Sequence, residues 1–268
     1  MWNIKEEELE EFRKTCRRRL SPEGATGFML GTIIIDSLMM LFIIGALVKF
    51  GWGFYTTMFE KTLVSIELVL YGLQIIFLIL YSFPKARYKF QKLQTLVVIL
   101  YAFQLGTITF TMLVLPGMTD YSIDRMTLNC VGLLFIGAVI FHIVTTIDTF
   151  KQASEGAFSM DERSRSFFSE TKGRMIKGSM IYISVLLIII YFHNDYNFNT
   201  LILYVVGTIL MYAVAIGAAE FQLLVYCRFK FKSFNMTWEE NERERQKFRK
   251  YNKKTSRKVD NKRNEFLL

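Results

Sequence analysis

Six apolar blocks interrupt this chain, at 28–48, 62–83, 93–115, 127–147, 175–192 and 201–227. Each is close to the roughly 20 residues that carry a helix across a bilayer. Composition alone does not decide the matter, since 52% hydrophobic and 21% charged residues also suit a soluble domain. The arrangement does, because within each block the apolar residues run on without the one-sided repeat of a surface helix. A soluble fold would have to hide six helices, apolar on every side, in the core of one 268-residue chain, which surface-to-volume scaling disfavours. The fold class that follows is all-α, a polytopic membrane protein with a six-transmembrane helix bundle occupying 27–227 as one domain. An N-terminal interfacial helix within 1–26 precedes it, and a basic cytosolic C-terminal tail, 228–268, follows.

Charge orients that bundle. Thirty of the 33 Lys and Arg residues fall on one side of the spans: six in 1–26, four in 84–92, six in 150–177 and fourteen in 228–268. The other side holds only Lys49, Lys61 and Arg125. Basic loops stay on the cytosolic side, so both termini are expected there. High Ile, Phe, Lys and Asn with only three Pro points to a bacterial plasma membrane. No short apolar stretch with a small-residue cleavage site precedes the first span, which is therefore expected to direct insertion and to be retained. The outer connections 49–61, 116–126 and 193–200 are too short for folded domains, so the cytosolic face is the expected working surface for a cytosolic or membrane protein partner. Cys16, Cys130 and Cys227 lie in cytosolic or membrane positions and form no disulfide framework.

Three polar segments carry local signals. Leu9, Phe12, Cys16 and Leu20 recur at helical spacing and make one apolar stripe, with Glu6 to Glu8 at one end and Arg17, Arg18 and Arg19 at the other. Such a helix is expected to lie along the inner leaflet, where its arginines meet anionic lipid headgroups. Ser21 and Pro22 end it and start the next helix. In the connection 148–174, Ser159 and Glu162 read as a capping box that would present Phe167 and Phe168 to the membrane or a partner. In the tail, Thr237 and Glu240 read as another, and nine basic residues follow between 247 and 263, Lys247, Arg249, Lys250, Lys253 and Lys254 foremost. Each would add about 1 kcal/mol of attraction to an anionic membrane surface. Phe248 and Tyr251 alone make a poor base-stacking platform, so nucleic acid is not the expected partner.

Ionisable residues within the spans point most strongly to function, because an unpaired charge there costs at least about 2.5–3.5 kcal/mol. Asp36, Glu67, His142 and Glu220 are the candidates. Asp36 lies nine residues beyond Gly27, about 13 Å into the first span at helical rise. On one reading Asp36 and Glu67 approach each other and line a path for a cation or proton, with His142 and Glu220 nearer the cytosolic exit. On the other each carboxylate is protonated or hydrogen-bonded to Ser37, Gln74, Gln104 or Asn129 and fixes helix packing. Ala213 with Gly217, and Ala215 with Ala219, give the sixth span small-residue spacings suited to close helix approach.

Catalysis has little to draw on. Cys130 and His142 are twelve residues apart on one helix, about 18 Å along its axis, and no zinc-protease, serine-hydrolase or phosphate-loop motif is present. The sequence calls for no metal and no cofactor, and the expected protein is not an enzyme. Six spans behind an amphipathic helix resemble, in topology alone, the membrane subunits of some ABC exporters. The short 84–92 loop departs from that plan and no residue role transfers. The expected function is an integral membrane component of a transport or export system without its own ATPase. The alternative is a non-transporting interaction protein, such as an assembly factor, regulator or immunity protein, and a lipid-modifying enzyme comes third. A homo-oligomeric pore needs no local motif and stays among the expected assemblies.

Overall fold

The computed structural model describes residues 2, 4–115, 123–159, 169–193, 198–243 and 245–246. Among them there is no strand. Eight α-helices follow in order: α1 Glu10–Arg17, α2 Pro22–Phe50, α3 Met58–Ser82, α4 Pro84–Lys89, α5 Gln91–Val114, α6 Arg125–Ser154, α7 Glu170–His193 and α8 Phe198–Lys230. Six of these, α2, α3 and α5 to α8, are long and apolar enough to cross a membrane.

Local chemistry sets the helix ends. Ser21 caps α2 by accepting from the Gly24 amide, and Pro22 sits at the first helical position, where its missing N–H is not needed. Gly51, with φ +69°, closes the other end of α2 in a conformation that suits a residue without Cβ. α3 begins with a reciprocal capping box between Thr57 and Glu60. Its last carbonyls, on Tyr81 and Ser82, accept from the Arg87 guanidinium of α4, a basic cap of the kind helix C-termini favour.

Two groups of three long helices share one seam. α2 and α3 pack on α5, α6 and α7 pack on each other and on α8, and α5 lies along α8. In α5 78% of the apolar window is buried inside the protein, against 17% in α3 and in α7, so α5 is the axis and α3 and α7 are the flanks. Ala215, Ala218 and Ala219 are the small buried residues that let α8 approach closely, whereas Gly217 has open space at its Cα.

The end holding the N-terminus is a packed layer in its own right. Ile4, Leu9, Phe12, Cys16 and Leu20 are buried against Ala153 and Phe158 after α6, Leu223, Leu224 and Cys227 of α8, and Phe234 beyond it. The apolar stripe read from the sequence as membrane-facing is therefore covered by the bundle's own end. The physical reason is that α6 and α8 run past their apolar blocks to Ser154 and Lys230 and supply an apolar shelf there. Arg17, Arg18 and Arg19 lie exposed at the end of that segment, as do Lys5, Glu6, Glu7, Glu11 and Lys14 along it. Beyond α8 the chain turns back, and Thr237 and Glu240 form the reciprocal capping box their spacing suggested. Arg245 pairs with Glu23, and Trp238 meets Tyr88 edge-on at 5.3 Å between centroids. Glu162, the partner read for Ser159, the two phenylalanines after it and the basic residues from Lys247 onward lie outside the described residues.

Candidate functional site

A polar layer crosses the α2, α3 and α5 group between two apolar ones. On the N-terminal side of α2 lie Ala25, Met29 and Ile33 with Tyr81, Val97, Val98 and Tyr101. Further along lie Met40 and Ile43 with Tyr55, Val64, Ile108, Met112 and Leu115. Between them sit Asp36 at 0% exposure, Glu67 at 1%, Gln74 at 0% and Gln104 at 1%. The helical repeat places them there. On α2 the buried residues Met29, Ile33, Asp36, Met40 and Ile43 follow alternating steps of four and three, and on α3 Glu67, Gln74 and Tyr81 recur every seven, the spacing that keeps a stripe facing its partner.

Within the layer Gln74 Nε2 donates to Asp36 Oδ2 at 2.7 Å, and the Tyr101 hydroxyl donates to the Gln74 carbonyl. The Thr111 hydroxyl donates to Glu67 Oε1 at 3.1 Å, and the Gln104 amide lies against the α3 backbone over 67–71. Ser37 pairs instead with Tyr71, hydroxyl to hydroxyl at 2.7 Å. Asp36 and Glu67 are close enough to interact electrostatically. Three oxygens remain buried without a hydrogen-bond partner: Asp36 Oδ1, Glu67 Oε2 and Gln74 Oε1. Among the described residues no ion pair reaches either carboxylate, and no group of three His, Cys, Asp or Glu gathers to hold a metal ion. Native proteins rarely leave such atoms orphaned without a reason.

The other two intramembrane candidates are elsewhere. His142 bonds through Nδ1 to the Ala215 carbonyl at 2.9 Å and through Nε2 to the Gln222 amide at 3.1 Å, while Thr146 donates to Gln222 Oε1 at 2.8 Å. A carbonyl only accepts, so Nδ1 carries the hydrogen and Nε2 accepts in a neutral ring. Every polar atom of that chain is matched, which makes His142 a clamp between α6 and α8. It also lines an apolar groove of about 400 Å³ with Phe103, Phe135 and Met211. Glu220 is paired with Arg19 at the basic end. The sequence-derived path of four residues thus reduces to Asp36 and Glu67, which share one buried layer without bonding each other.

Two features of the basic end escaped the sequence reading. Arg228, 1% exposed, donates to the carbonyls of Leu20 and Gln91 at 2.9 and 3.2 Å, tying the N-terminal segment and the start of α5 to α8. Asp148 accepts from Ser169 at 2.6 Å and Gln152 at 2.9 Å, and Lys172 stands 3.9 Å away. In the sequence each of these was one more charge beside a span. Alternating steps of three and four through the ends of the apolar blocks were the available signal, since they carry the buried face of α6 and α8 past the apolar residues.

The six long apolar helices fit the class of multi-pass membrane proteins. No protein-family model, curated protein or solved structure matches the chain.

Proposed function

We propose that this chain is an integral membrane component of a transport or export system, seated in a bacterial plasma membrane with both termini cytosolic. It carries no ATPase and catalyses no covalent reaction of its own. The observation that carries the reading is the Asp36–Glu67 layer: two carboxylates brought together within apolar spans, each with an unpartnered oxygen. Two unpaired charges in hydrocarbon would each cost at least about 2.5–3.5 kcal/mol, so each carboxylate calls for a bound ion, a proton included, to offset its charge. The layer is closed by apolar residues on both sides, so it serves as an occluded ion seat that alternates in access, and an open pore is disfavoured. The thirty-to-three charge asymmetry supports the orientation. The exposed arginines at the end of α1 and the basic tail from Lys247 offer the cytosolic side to anionic lipid or a protein partner.

Crosslinking in native membranes, followed by mass spectrometry of what copurifies, tests this placement. Recovery with an ATPase or another transport subunit is the expected result. Recovery with one secreted or membrane protein and no transport subunit would contradict it and favour the interaction-protein reading.

A further inference from the structure

Two of the three orphaned oxygens belong to side chains that are already bonded to each other. Gln74 Nε2 donates to Asp36 Oδ2, yet Asp36 Oδ1 and Gln74 Oε1 each lack a partner. Both atoms are acceptors, and neither an ionised carboxylate nor an amide oxygen has a hydrogen to offer. A proton on Oδ1 would give that oxygen a hydrogen to donate, and Gln74 Oε1, on the side chain already bonded to Oδ2, is the unpartnered acceptor that could take it and close a reciprocal acid–amide ring. No sodium-sized cation is needed, and the donor set for one is thin, since hard cations take six or so oxygen ligands.

We propose that the ion held in the polar layer is a proton, seated on Asp36 Oδ1 and shared with Gln74. The titratable groups facing it are Glu67 and Tyr71 from α3 and Tyr101 from α5, and the two tyrosine hydroxyls are engaged with Ser37 and the Gln74 carbonyl. Among the described residues no Lys, Arg or His pairs with Asp36, so the negative form has no counter-charge. Loading is a simple association: a proton binds the carboxylate, the O–H bond forms, and the layer becomes neutral at that residue. Release breaks the same bond and returns the proton to water on whichever side is open. The role of the proton rests on the transport reading; its presence does not.

Infrared difference spectroscopy of the full chain in lipid vesicles, in H₂O and D₂O at neutral pH, reads the proton directly. The expected result is a protonated-carboxyl band that is lost in Asp36→Asn and unchanged when sodium replaces potassium. Thermal stability gives a second readout. Asn at position 36 can rebuild the reciprocal ring with its own N–H, so Asp36→Asn should melt with the wild type, while Gln74→Leu melts lower. Absence of the band, or sodium-dependent stabilisation that Asp36→Asn abolishes, would overturn the proposal. Should Gln74→Leu fail to fold, the spectra of the wild type and Asp36→Asn decide alone. The band present with ion flux intact in Asp36→Asn would sink the transport reading and leave the proton pair standing. The band absent with flux abolished would do the reverse.

Discussion

Arg228 holds a guanidinium at 1% exposure with carbonyl oxygens rather than a carboxylate. Its removal leaves the Leu20 carbonyl unmatched, while the Gln91 carbonyl still accepts from Thr95, and a buried orphan costs about 1–3 kcal/mol. Arg228→Met should therefore lower the melting temperature in detergent by several degrees. Arg19→Ala should move it less, because that arginine is 67% exposed in its pair with Glu220, whose side chain is 15% exposed. Cys16 gives a pH-dependent counterpart outside the spans. Burial pushes its thiol pKa up, so the folded state favours the neutral form. Its contribution is fully present below the ordinary thiol range and is lost as pH rises above it. Maleimide labelling of Cys16 should be negligible at neutral pH in the wild type and become fast when Phe12→Ala loosens the segment. At this scale the sequence was legible where a charge broke an apolar block, as at Asp36 and Glu67, and Gln74 was rightly among the neighbours offered to them. It was illegible where a charge lay among many others, as at Arg228.

At the scale of elements, the number of the long helices could be read because each apolar block matches one helix, but their limits could not, since polar turns carry α2 back to Pro22, α6 on to Ser154 and α8 on to Lys230. Which face of each helix is buried was harder. The spans read as apolar all round, yet α2 buries only the stripe through Met29, Asp36 and Ile43. Polar residues at heptad spacing, Glu67 to Gln74 on α3 and Gln104 to Thr111 on α5, marked those stripes in advance. The N-terminal helix was correctly amphipathic but wrongly partnered, since an apolar stripe does not say whether lipid or protein covers it. Gly24 shows how closely that segment approaches: a Cβ there would overlap the Arg19 carbonyl, a backbone atom with little room to move. Gly24→Ala should destabilise the protein by about 1–3 kcal/mol and raise hydrogen exchange over 4–20, with α7 unaffected. Equal exchange in variant and wild type would show that the segment is not held at that point.

For the whole molecule, the one-sided charge was legible and the central position of α5 was not, because neighbour relations among similar apolar helices leave no trace in charge or hydropathy. Removing 247–268 keeps the Arg245–Glu23 contact but deletes nine basic residues. Each is worth about 1 kcal/mol near an anionic surface. The truncated protein should hold anionic vesicles far more weakly in a flotation assay at low salt, and identical binding would exclude the tail from lipid contact. The central claim is that the Asp36–Glu67 layer moves an ion while the His142 chain only joins helices. Proton flux into vesicles reconstituted with the full chain, read with an entrapped pH-sensitive dye under an imposed potential, compares the two directly. Asp36→Asn and Glu67→Gln should each abolish the flux, whereas His142→Phe, if it folds, should retain it. Flux unchanged in both carboxylate variants, in protein of wild-type stability, would contradict the account.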